Sequence, residues 1–162
     1  MSEQSITKRI RRNHGIEHAT LTILSQKQPN IRLVARSDMW GFVVFGEVDT
    51  GDLRAAAEEA VGRLRGGERQ LAVHPNCGTN LVAASILSAV AALGAASGRK
   101  RSLWDRVPSA ILGTTAALML SGPAGRWLQA KVTTSADVDG AVVTAVERQG
   151  AGPVARHRVS IA

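Results

Sequence analysis

Hydrophobic positions recur at helical spacing over the first part of the chain, from about Ser5 to Gln28. At about 100° per residue, Ile6, Ile10, His14, Glu17, His18, Leu21 and Leu24 share one stripe, with Arg9 and Arg12 directed away from it. Pro29 stops this helix. Alternation then replaces the helical period: residues 31–36 and 42–48 read as two strands around a turn at residues 37–41. Asp49 or Thr50 caps a second helix running to about Arg65, with Leu53, Ala56, Ala57, Ala60 and Leu64 inward, and Gly66-Gly67 ends it. A third short strand is expected over residues 70–74, and two more over 141–147 and 154–161. The pattern predicts an α+β fold: an α-β-β-α-β unit over residues 1–77, a two-helix transmembrane hairpin over 78–128, and C-terminal strands over 129–162 that complete the same domain.

The hairpin comes from charge depletion. Residues 71–98 contain no Asp, Glu, Lys or Arg, and neither do residues 107–125. Each run supplies roughly 19 helical residues, close to the ~20 that cross a bilayer core. Ala, Gly and Ser dominate over Leu, which suits close helix packing, and Trp104 and Trp127 flank the second run as interfacial residues do. Arg99, Lys100, Arg101 and Arg106 lie between the runs, while Arg63, Arg65, Arg69, Arg126 and Lys131 lie on the other flanks, so the positive-inside bias nearly cancels. A polar region of about 70 residues ahead of the first run, with no export signal before it, favours a multi-pass protein of the inner (plasma) membrane with cytoplasmic termini.

Composition adds a net charge of +7 and only 3% aromatic residues, with no tyrosine. Anionic lipid therefore fits better than nucleic acid, for which stacking platforms are scarce. The single cysteine, Cys77, excludes an intrachain disulfide. On the same reading Arg156, His157 and Arg158 form an exposed strand face or a headgroup contact.

Two imidazoles and a carboxyl on a stripe that ought to be buried need either hydrogen-bond partners or a metal ion. His14 and His18, at i and i+4, stand one helical turn apart, as a helix supplying two zinc ligands requires. Residues 14–18 read H-x-x-E-H and resemble the inverzincin zinc-peptidase motif. The resemblance implies that both histidines bind zinc and that Glu17 is the general base. That family takes a third ligand, a glutamate, from a distant helix, whereas Glu58 and Glu59 stand closer than its pattern expects. His74 or Cys77, in the stretch His74-Pro75-Asn76-Cys77-Gly78-Thr79-Asn80, could complete a site with water as fourth ligand. Alternatively Asn76, Thr79 and Asn80 cap the first span. Asn76, Asn80 and, from residues 132–137, Asp137 are candidates to orient the ligands, and Arg126 could stabilise oxyanion charge. The hairpin must bring residues 74–80 and 126–137 towards each other.

Taken together, Arg11 to Thr20, Arg36-Ser37-Asp38 with Gly41-Phe42, Gly46 to Thr50, Leu71 to Asn80, Gly125 to Gln129 and Thr133 to Asp137 resemble a bacterial family of two-span membrane proteins known only as a domain of unknown function. The resemblance implies a membrane protein and specifies no reaction. Two functions stay open. The favoured one is a non-catalytic scaffold or accessory subunit, in a homo-oligomer or a larger membrane complex, with a His/Glu cluster that is a structural metal site or a hydrogen-bonded core. The other is a membrane-anchored zinc hydrolase.

Overall fold

In a computed structural model, residues 5–97, 102–150 and 155–162 are described. The fold is α+β, with four α-helices and one four-stranded antiparallel sheet among the described residues. It divides into two compact units, one formed by Met1–His74 with Ala130–Ala162 and the other by Pro75–Gln129.

The first unit contains α1 (Ile6–Lys27), β1 (Val34–Asp38), β2 (Gly41–Phe45), α2 (Thr50–Arg65), a 3₁₀ turn (Arg69–Ala72), β3 (Val143–Gln149) and β4 (Arg156–Ile161). The strands run in the order β1-β2-β4-β3. Residues 34–45 and residues from beyond the hairpin thus share one sheet. Phe42 and Val44 on β2 and His157, Val159 and Ile161 on β4 are buried beside α1 and α2, whose Ile16, Ile23, Leu24, Leu53 and Ala56 complete the core. Asp49 caps α2 by accepting from the Gly51 and Asp52 N–H groups at 2.7 and 3.0 Å.

Several expectations change. Residues 70–74 are not a strand: the Leu71 and Val73 amides donate to the carbonyls three residues back, at 3.1 Å each. Wedged between Gly66-Gly67 and Pro75, this run buries Leu71 and Ala72 as a plug beside α1 and α2. The turn between β1 and β2 narrows to Met39 and Trp40, because Ser37 and Asp38 already pair with Phe42 and Gly41. Along α1 the buried surface is wider than one stripe and shifted. Ile6 and Ile10 are exposed, whereas Arg12 and Asn13 are buried because sheet, α2, 3₁₀ turn and the segment after residue 130 all pack on this helix. The Arg12 Nε donates to the Asn13 side-chain oxygen at 3.4 Å, and burial, then the nearby Arg9, pulls its basicity down. His157 is fully buried rather than on an exposed face, since the pleat turns it inward with Val159 and Ile161. Arg158, on the opposite face, forms a two-bond pair with Asp38. The expected basic loop between the spans at residues 99–101, and the start of the last strand at Val154, lie outside the described residues.

The second unit is the pair α3 (Gly78–Ala96) and α4 (Leu103–Leu128), both long and apolar enough to cross a membrane. Small residues bring the helices close: a Cβ on Gly113 would stand 3.0 Å from the Ala91 carbonyl and 3.1 Å from the Ala95 methyl. Near the open end, the Asn80 side chain lies against the bare Cα of Gly125 and accepts from the Gln129 amide at 2.6 Å. Leu81, Ile86, Val90, Leu93, Leu112 and Leu120 are exposed.

Candidate metal centre

The centre of α1 places two imidazole rings together, with His14 and His18 ring centroids 4.4 Å apart and 63° between their planes. His74, at the end of the first stretch of the first unit, brings a third ring to 5.8 Å from His18. His14 Nδ1 lies 3.0 Å from the Thr133 carbonyl and His18 Nδ1 lies 2.8 Å from the Ala72 carbonyl. A carbonyl oxygen only accepts, so each contact requires Nδ1–H. A neutral ring with that Nδ1–H carries its lone pair on Nε2, the tautomer of a histidine whose other nitrogen is fixed by a backbone oxygen and whose Nε2 is a metal donor.

The segment that carries the Thr133 carbonyl is held in turn. Arg11 Nη2 donates to the Lys131 and Thr134 carbonyls at 3.0 and 3.2 Å, and the Ser135 amide donates to the Arg11 carbonyl at 2.9 Å. This return segment can lie on the helix only because position 15 is glycine; a Cβ there would overlap the Ser135 carbonyl oxygen. The glycine inside the H-x-x-E-H run thus seats the segment that orients the neighbouring histidine.

Glu17 is buried and accepts from the Ser37 hydroxyl on β1. It stands about 60° to 100° around the helix from the two histidines, and it ties α1 to the sheet. Asp137, expected to orient an imidazole, is exposed and accepts from the Asp139 amide at 3.4 Å; the two histidine Nδ1 atoms use backbone carbonyls instead. Neither Glu58 nor Glu59 joins the rings: Glu58 pairs with Arg54, and Glu59 with Lys27 and Arg63.

In the second unit Cys77 caps α3, its sulfur accepting from the Thr79 amide at 3.4 Å. Asn76 is exposed, and Asn80 donates to the Pro75 carbonyl at 2.7 Å as well as accepting from Gln129. Arg126 is exposed in the last turn of α4. Ser37 and the Ala72 and Thr133 carbonyls are absent from the expected site. The first is an ordinary strand residue and the carbonyls carry no side-chain signature.

A family model described as a domain of unknown function, DUF6391, matches residues 9–146. An uncharacterised protein of Picosynechococcus sp. is 34% identical over 135 residues, which cover 78% of this chain and 66% of that protein's length. No solved structure matches the chain.

Proposed function

We propose, from the premise that this chain belongs to the DUF6391 family, that it is a membrane-embedded protein whose first unit carries a structural zinc site, acting as a scaffold or accessory subunit rather than as an enzyme. The observation that carries the metal reading is the pair of Nδ1-to-carbonyl contacts at 3.0 and 2.8 Å, which sets both histidines in the tautomer that offers Nε2 to a cation. His74 supplies a third imidazole from the same unit. Three imidazole nitrogens from one unit are a donor set that suits zinc.

The membrane reading rests on α3 and α4. Only 6% of each apolar window is buried within the chain, and the exposed leucine, isoleucine and valine side chains suit lipid, which supports the membrane reading. The non-catalytic reading rests on Glu17. A general base must reach a metal-bound water, and this carboxylate is engaged by Ser37 on the sheet side of α1.

Elemental analysis of protein purified without a histidine tag tests the metal site. About one zinc per chain is expected, lost in His14→Ala and in His18→Ala and retained in Glu17→Gln. Chelation should lower the unfolding temperature of the wild type and leave the metal-free variants unmoved. Protein that holds no transition metal, or holds it equally in both histidine variants, sinks the proposal.

A further inference from the structure

Beside the histidine pair lies a cavity of about 470 Å³ whose wall comes from three segments: α1, the 3₁₀ turn with the residue after it, and residues 130–136. Its charged residues are Arg11, Arg69 and Lys131, and Thr134 and Ser135 add hydroxyls; no acidic residue lines it among the described residues. Asp137 and Asp139 line a neighbouring cavity that shares with this one only Arg69 and Ala136. Three cations around one concave space repel each other unless a counter-charge enters, and the low-dielectric wall strengthens that field.

Arg11 is the fixed member of the three. Its Nη2 holds the Lys131 and Thr134 carbonyls, so the guanidinium is fixed where it lines the cavity. A guanidinium positioned by backbone in this way is prepared for an oxyanion. Arg69 and Lys131 are exposed at the rim, where they can close over a ligand.

We propose that this cavity binds a phosphate group, with Arg11 at its base and Arg69 and Lys131 as the rim. The volume admits a phosphate bearing a small polar substituent. Lys131 stands three residues beyond the end of α4, so an anionic lipid headgroup and a soluble phosphate both offer the chemistry. The inference does not depend on the metal reading, since none of the three cations belongs to the imidazole group.

The test uses full-length protein in neutral detergent, with two probes: inorganic phosphate, and a short-chain phosphatidylglycerol below its micellar concentration. Calorimetry on wild type and on Arg69→Gln/Lys131→Gln reads the affinity. These side chains are exposed, so the variant keeps the fold, and an unchanged unfolding temperature confirms it. The double variant should bind at least one probe roughly tenfold or more weakly, as loss of charge-assisted hydrogen bonds requires. Tighter binding of the lipid identifies a headgroup site, and equal or tighter binding of inorganic phosphate identifies a soluble ligand. The proposal is overturned if neither probe binds in the millimolar range, or if the double variant binds both as well as wild type does.

Discussion

A methyl group at position 15 would meet the Ser135 carbonyl oxygen, and no flexible side chain is there to give way. Gly15→Ala should therefore push the return segment off α1 and cost about 1–3 kcal/mol, as overpacking of a close backbone contact does. The same shift would move the Thr133 carbonyl away from His14. Denaturant unfolding reads the first effect and zinc content the second; unchanged values of both would show that this contact does not matter. Glu17 is a different kind of residue, a buried carboxylate that accepts from a hydroxyl. Glu17→Gln keeps an acceptor for Ser37, so it should destabilise much less than Glu17→Leu, which leaves that hydroxyl without its partner.

Among the elements, β4 carries the sheet's pH dependence. His157 is buried with no hydrogen-bond partner on either ring nitrogen among the described residues. Burial, reinforced by Arg148 and opposed by Glu47 and Asp49, lowers its pKa below the ordinary value of 6.5. The unfolded chain then takes up a proton that the folded chain refuses. Stability is complete above about pH 6.5 and declines as the pH falls below it. His157→Leu should flatten that decline and leave stability at pH 8 unchanged or raised, since two unmet polar atoms disappear. A wild-type-like slope in the variant would contradict this. Asp38 acts in a lower window, because its hydrogen bonds to Arg158 hold its carboxyl below the usual range; its contribution is kept until the pH falls through the carboxylate region. Neither residue's role is visible in the periodic pattern. Alternation places His157 on the same face as Val159 and Ile161, yet a histidine flanked by two arginines reads as surface until the pairing with β2 is known. The cap at Asp49 and the inward alanines of α2 are legible because they depend on near neighbours alone.

For the molecule as a whole, the membrane reading predicts that alkaline carbonate washing leaves the protein in the membrane pellet; release into the supernatant would remove it. The two apolar helices and the α+β class were legible, because uncharged runs and changes of period are properties of contiguous sequence. The carbonyls that fix the histidines were not, because backbone oxygens have no residue identity and reach α1 from residues 72 and 133. The strand order β1-β2-β4-β3 has one more implication, for the making of the protein. β2 is hydrogen-bonded on one side to a neighbour made beforehand and on the other to a strand made only after the helical pair. Until β4 is made, the growing chain presents the bare margin of β2 to any other extended peptide nearby. A chain cut short after the helical pair would be a template for self-association rather than a smaller working protein, so the cell has reason to destroy such fragments quickly.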